Sequence, residues 1–279
     1  MRIFLLGNGS KPRVREVAEE LLPFLRMHCQ VVIYDLAQQA DLSLHEADIA
    51  LVLGGDGAIL RAARQMGYRQ IPVLGVNLGK LGFLADLSPE EVRTHLPAVL
   101  AGNYSVTRHL MFECLLDGPG EPHSMLGLNE IVVRSGTPHL VDIDLSIDDT
   151  LVARFSGDGL ILSTPVGSTA HSLSAGGPIL RQDLEAFVIT PICPHALTFR
   201  PLVDGANRTY TIQVLSEWGG VLIVDGQHFV PVTTNNRVIF RRAPVQFQLI
   251  KVPGHGYYQT LRTKLHWGTS PGLRHDQTA

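Results

Sequence analysis

Cysteine is scarce in this chain. Its 279 residues include only Cys29, Cys114 and Cys193, far apart and odd in number. That argues against a disulfide framework and for a reducing compartment. None sits in a CxxC pair, so no structural zinc site is expected. Long apolar runs are also missing. The first, Ile3–Leu6, is too short for a signal peptide. No window reaches the roughly 18 apolar residues that a membrane span needs. Charged residues are few, at 18%, and the formal net charge is −3. Nothing in that balance supports a nucleic-acid or membrane-surface role. The expectation is a soluble, cytoplasmic protein that meets neither nucleic acid nor membrane.

What the chain has is apolar material, 45% of its residues, enough for one large domain or two ordinary ones. Its pattern changes near residue 102. Before that point short apolar runs (Ile3–Leu6, Val31–Tyr34, Ile49–Leu53, Ile71–Val76) alternate with helical spacings. Ser10 is the expected cap of the first helix, with Pro12 near its start, and Ala58–Met66 reads as the second. Ser88-Pro89-Glu90-Glu91 is a capping box opening a helix towards Leu100. This alternation predicts a parallel sheet with helices on its faces.

After residue 102 the period moves towards two, most cleanly in Val141–Asp148. Val106–Leu116, Ile131–Arg134, Leu151–Phe155, Tyr210–Leu215, Val221–Val224, Val238–Arg241 and Val245–Leu249 also read as strands, separated by turn residues such as Asp204-Gly205. The expected architecture is an α/β N-terminal domain with a parallel sheet, residues 1–101, then an all-β, sandwich-like domain, residues 102–250. A tail, residues 251–279, follows, polar and frayed at its end.

Gly54-Gly55-Asp56-Gly57 stands between a strand and a helix, where open α/β sheets bind ligands. The glycines allow a tight turn, and the free N–H groups of a helix start favour phosphate. Asp56 then either accepts a hydroxyl proton from a substrate or simply caps the helix. Gly75–Leu84 is also glycine-rich and includes Gly79-Lys80. It fails the P-loop pattern because Gly75 is one residue too close and Leu81 replaces the hydroxyl residue. The dinucleotide fingerprint fails too, since Pro12 takes the place of the third glycine after Gly7 and Gly9. Asn129-Glu130 suits the two hydroxyls of a ribose, although alone the pair reads as a solvated turn. The block Asp158–Pro178 is dense in Gly, Ser and Thr, which suits close approach of a pyrophosphate, yet it keeps an apolar strand inside.

GGDG, NLGKLGFL, NE, DGLILSTPVGSTAHSLSAGGP, Pro194-His195-Ala196-Leu197-Thr198 with Arg200-Pro201, and Asp225-Gly226-Gln227 occur in this order over residues 54 to 227. In that order they resemble the NAD kinases. The resemblance implies transfer of the terminal phosphate of ATP to the 2′-hydroxyl of the adenosine ribose of NAD, giving NADP. It implies NAD and ATP as substrates, Mg²⁺ carried on the triphosphate, and a homodimer or homotetramer. It also implies NAD lying between two domains, with the C-terminal tail returning to the first. Asp56 would take the hydroxyl proton. Gly57, Arg61, Asn129, Glu130, His139, Asp158, Thr169, Ala170, His171, Ser172, Leu173, Ser174 and Gln227 would line the substrate site, and no side chain is expected to ligate a metal. The chain departs from the family pattern at His171, where a tyrosine is usual, at Val166, where threonine is common, and at Ser156-Gly157, where some members carry a basic residue. A lipid kinase shares GGDG but needs a membrane-facing basic helix, which is missing here. A non-enzymatic NAD sensor would not need Asp56 with its flanking glycines. His109 and the other scattered histidines are expected at the surface, His195 in a structural role, and Trp218 and Trp267 in packing.

Overall fold

Ile49–Leu53 has no polar residue, and all five side chains are buried. A strand buried on both faces belongs inside a parallel sheet covered by helices. In the computed structural model, which describes residues 1–79, 82–85, 87–119, 123–253 and 256–267, the chain forms two compact units. The first gathers Met1–Met66, Ile71–Thr107 and the segment from Gln248 onward. The second gathers Gly67–Gln70 and Arg108–Phe247.

The first unit runs β1 (Arg2–Gly7), α1 (Pro12–His28), β2 (Gln30–Asp35), β3 (Ile49–Leu53), α2 (Asp56–Met66), β4 (Val73–Val76) and α3 (Pro89–Leu100). The strands are parallel in the order β2-β1-β3-β4, with Leu5 opposite both Tyr34 and Leu51, and Leu51 opposite Leu74. Val14, Val17, Leu21 and Leu25 of α1 and Val92, Leu96 and Val99 of α3 bury their apolar faces in the core of this sheet. The capping box of α3 forms as its sequence predicts. Ser88 Oγ accepts from the Glu91 N–H at 3.3 Å, and Glu91 Oε2 accepts from the Ser88 N–H at 2.8 Å. The start of α1 differs from expectation. Lys11 is its N-cap and makes no side-chain cap, because the Ser10 hydroxyl donates instead to Asn8 Oδ1 at 2.7 Å.

The second unit is built from β5 (Ser105–Asp117), β6 (His123–Gly127), β7 (Glu130–Arg134), β8 (Val141–Ile147), β9 (Thr150–Gly157), β10 (Gly159–Ser163), the one-turn α4 (His171–Ser174), β11 (Ala186–Ile192), β12 (Leu202–Gly205), β13 (Thr209–Val214), β14 (Gly220–Val224), β15 (His228–Val232) and β16 (Arg237–Lys251). One antiparallel sheet has the order β12-β11-β10-β7-β14-β15. Facing it, β16, β13, β8 and β9 follow one another, with β5 beside β16 and β6 beside β5. The core between them is a sandwich: Ile131, Leu160 and Leu222 from one sheet meet Ile143, Ile212 and Phe240 from the other. Phe240 sits 4.6 Å from Phe187 and 4.8 Å from Phe112, ring centre to ring centre. The outer face of the first sheet is covered too. Ala175, just after α4, packs on Val132, Ile161 and Ile223. After β16 the chain re-enters the first unit, where Leu249 pairs with Val73, and α5 (Tyr257–Lys264) follows. Lys264 Nζ lies 5.2 Å above the Phe83 ring.

An α/β unit with a parallel sheet and an all-β sandwich is the architecture expected, but details differ. Val238–Arg241 and Val245–Leu249 are one strand, β16, in which the buried positions change phase between Phe240 and Ala243. Asp204-Gly205 ends β12 rather than forming a turn, and β6, β11 and β15 were not anticipated. His109 is fully buried, whereas Trp218 and Trp267 are 49% and 54% exposed. The polar end of the tail, 269–279, and Lys80 lie outside the described residues.

Phe240→Ala is expected to lower unfolding stability by about 3–5 kcal/mol, by emptying the aromatic centre of the sandwich. Ser88→Ala is expected to cost only about 1 kcal/mol. Urea titrations of the two variants check that order, and equal midpoints would contradict it.

Candidate active site

The turn between β3 and α2 sets up the first half of the site. Gly54 has φ +141°, and a Cβ there would meet the Ala58 Cβ at 2.9 Å. Only glycine holds this bend without strain. Its N–H donates to the Val76 carbonyl at 2.8 Å, tying the turn to the end of β4. Asp56 is the first residue of α2. Its carboxylate accepts from the N–H groups of Phe83 (2.9 Å), Leu84 (3.0 Å) and Ala85 (3.3 Å). So the two glycine-rich motifs of the first unit form one structure, a carboxylate inserted into a run of backbone donors. Gly82 is required by contact, since a Cβ there would strike Asp56 Oδ1. Gly57 is exposed, with nothing near its Cβ position, and Arg61 lies half-buried one turn further along α2.

The second unit gathers several other predicted residues at one end of β7 and β10. Glu130 opens β7 opposite Ser163 of β10. It is not in a solvated turn, being only 6% exposed. Thr164 stitches Asn129 to the Ser/Thr-rich segment. Its N–H donates to the Asn129 carbonyl at 2.9 Å, and its hydroxyl donates to the Leu128 carbonyl at 2.5 Å. Thr169 and Ala170 are half-buried, and His171 and Ser174 are exposed. Ser172 is fully buried, with its hydroxyl 2.9 Å from that of Thr190, which pins α4 to β11. Gln227 belongs to the turn between β14 and β15, where its N–H donates to the Val224 carbonyl at 3.0 Å.

Asp158 and His139 stand elsewhere. Asp158 precedes β10, its N–H donating to the Ile192 carbonyl, while its own carbonyl accepts from Ser135 N–H. That is the opposite end of β10 from Ser163, about 17 Å along a five-residue strand. His139 is exposed, its ring 5.4 Å from that of Trp218. Asp158 also hydrogen-bonds the exposed Cys193 thiol and pushes it above the ordinary thiol range. His195, expected to be structural, lines an open groove with Asp142, Arg154 and Phe199.

One functional group was not singled out from the sequence. Asp225 is 5% exposed and accepts hydrogen bonds from the backbone N–H groups of Leu128, Asn129 and Glu130. The Asp-Gly-Gln motif was visible, but only its glutamine was assigned a role. A buried aspartate bridging residues almost a hundred positions away leaves no local signal. Burial, and then the charge of Asp225, push the Glu130 carboxyl up to about 8. Near neutrality Glu130 is therefore protonated, and it can donate a hydrogen bond.

A chain that joins a glycine turn presenting a carboxylate to a β-sandwich with a small-residue loop is, by its family, a phosphotransferase of two-unit build. Residues 10–104 match the ATP-NAD kinase N-terminal domain and residues 128–252 the ATP-NAD kinase C-terminal domain. The chain is 45% identical over 276 residues to an NAD kinase of Rhodopirellula baltica, covering 98% of this chain and 89% of that one. It is 38% identical to an NAD kinase of Geotalea daltonii, covering 96% and 99%. The chain belongs to the NAD kinase family. Among solved structures it superposes on a yeast NADH kinase complexed with NADH, with TM-score 0.88 and 24% identity, over 98% of this chain and 90% of that one. On an Archaeoglobus fulgidus NAD kinase in complex with ATP the TM-score is 0.78 at 28% identity, over 95% and 99%.

Gly82→Ala is expected to expel Asp56 from its donors and lower kcat/KM by about 10²-fold, since a displacement near 1 Å costs that much. Wild-type rates in that variant would mean that the contact is slack. Glu130 yields a second expectation. The unfolded chain releases this proton near 4.5 and the folded chain near 8, so stability is full below that window and falls as pH rises through it. Glu130→Gln is expected to flatten the decline of melting temperature across the same window, as read by calorimetry at several pH values. An unchanged slope would mean that the carboxyl is already ionised.

Proposed function

We propose that this NAD kinase transfers the terminal phosphate of ATP to the 2′-hydroxyl of the adenosine ribose of NAD, with Asp56 as proton acceptor. The observation that carries the reading is the fixed position of the Asp56 carboxylate at the start of α2. Three backbone donors hold it there, and the exposed Gly57 leaves open space beside it. The ribose oxygen forms a bond to the γ-phosphorus, the bond to the β-phosphate oxygen breaks, ADP leaves, and the hydroxyl proton passes to Asp56. Such a transition state is loose, so positioning and charge neutralisation supply most of the rate. Backbone hydrogen bonds that already orient the acceptor need no reorganisation during the step.

Mg²⁺ enters with the nucleotide as part of the substrate, held through phosphate oxygens. Among the described residues no three His, Cys, Asp or Glu side chains gather to hold an ion without it. Asn129 and Glu130 hold the dinucleotide, with Thr169–Ser174 and Gln227 around it. Ser172 contributes through its backbone, since its hydroxyl is engaged with Thr190. The active form is a homodimer or homotetramer acting in the cytoplasm.

Asp56→Asn is expected to lower kcat by at least about 10²-fold, with NAD affinity within about threefold of wild type. NADP appearance and calorimetric NAD binding on the same preparation check it. Normal turnover in that variant would remove Asp56 from the chemistry.

A further inference from the structure

Asp225 lies in the turn after β14 with φ +47°, a conformation that asparagine and aspartate tolerate better than other side chains. Its Oδ2 accepts from Leu128 N–H at 2.9 Å, and its Oδ1 accepts from Asn129 N–H at 2.8 Å and Glu130 N–H at 3.1 Å. Its own N–H donates to the Glu130 carbonyl at 2.9 Å. Three consecutive residues are thus fixed by one side chain and its backbone. A turn between adjacent strands does not need a buried carboxylate, which is costly to desolvate unless it is fully hydrogen-bonded. The residues it fixes include both members of the Asn-Glu pair. Beside it the Glu130 Oε2 is buried and has no hydrogen-bond partner among the described residues.

We infer that Asp225 is a positioning residue for the dinucleotide: it sets the Asn129–Glu130 backbone and with it the direction in which the buried Glu130 carboxyl meets the substrate. The inference rests on the reading that Asn129 and Glu130 hold NAD. Among the described residues, Asp225 is the charged group that acts on Glu130. Its ladder neighbour on β10 is Ser163, and the pair beside it, Ile131 and Val224, is apolar. With burial, that charge makes ionisation of Glu130 unfavourable. An uncharged carboxyl meets an anionic pyrophosphate compound without repulsion and offers it a proton. Once ionised it offers only acceptors, next to a second carboxylate. Affinity for NAD therefore weakens as pH rises past the titration of Glu130.

The test compares Asp225→Asn and Glu130→Gln with wild type in the full chain, with NAD varied at saturating ATP from neutral to alkaline pH. Asparagine keeps the size and the backbone conformation but turns a donor towards one of the three N–H groups. In Asp225→Asn the KM for NAD is expected to rise about tenfold, with kcat and the KM for ATP within about threefold. The alkaline rise in the KM for NAD is expected to begin about one pH unit lower, because the charge opposing ionisation is gone. A merely structural residue would reduce the folded fraction at every pH without moving that limb. In Glu130→Gln the alkaline rise is expected to disappear. If Glu130→Gln alters neither the KM for NAD nor its pH dependence, the Asn129–Glu130 reading falls and takes this inference with it. If Glu130→Gln alters them and Asp225→Asn does not, the inference alone is overturned. Should Asp225→Asn fail to fold, Asp225→Ser, with one acceptor oxygen and no charge, is measured under the same two criteria.

Discussion

Three backbone N–H groups in the loop after β4 point at one carboxylate, that of Asp56, and the geometry of the first unit's site follows from this convergence. A loop rich in glycine pays heavily in entropy to adopt one shape, and its donors need acceptors wherever water is excluded. Asp56 supplies the acceptor, and Gly82 supplies the room. The bend at Gly54 delivers the carboxylate to that place, and the hydrogen bond from Gly54 to Val76 holds the bend against the sheet. The side chain assigned to the chemistry is therefore also the one that shapes the loop.

The second unit uses the same device on another pair of segments. Asp225 serves the N–H groups of Leu128 to Glu130, and Thr164 adds bonds to the carbonyls of Leu128 and Asn129. Side chains clasp backbone at both places because the loop after β4 and the residues Leu128 and Asn129 before β7 lie outside the strands, where no ladder satisfies their polar groups. The difference lies in the neighbours. Asp56 is half-buried beside the exposed Gly57, whereas Asp225 is buried and has Glu130 as an electrostatic neighbour. A shared clasp thus holds one carboxylate half-exposed and another buried against a second carboxyl group.

Much of the fold was legible in the residues. Ile49–Leu53 could only be a buried strand, Ser88–Glu91 could only begin a helix, and the alternation of Val141–Asp148 required a sheet with one dry face. The errors came where local composition misleads. Val238–Arg241 and Val245–Leu249 read as two strands but are one, β16, because the buried face changes phase between Phe240 and Ala243 and so breaks the period of two. His109 looked like a surface residue, since a lone histidine carries no mark of burial. Asn129-Glu130 read as a wet turn, because the sandwich that buries Glu130 is assembled from strands distant in sequence.

The sequence by itself determined the class of each unit, the order of the motifs and the identity of Asp56 as the residue to watch, since apolar periodicity and glycine placement are local properties of the chain. Only tertiary structure decided what those residues touch. That Asp56 accepts from Phe83–Ala85, that Ser172 turns inward to Thr190, that Asp158 and Glu130 stand at opposite ends of the paired strands β7 and β10, and that Asp225 accepts from the Glu130 N–H all depend on contacts between distant positions. Hydrogen-bond geometry and burial arise only when such positions meet, so no local pattern encodes them.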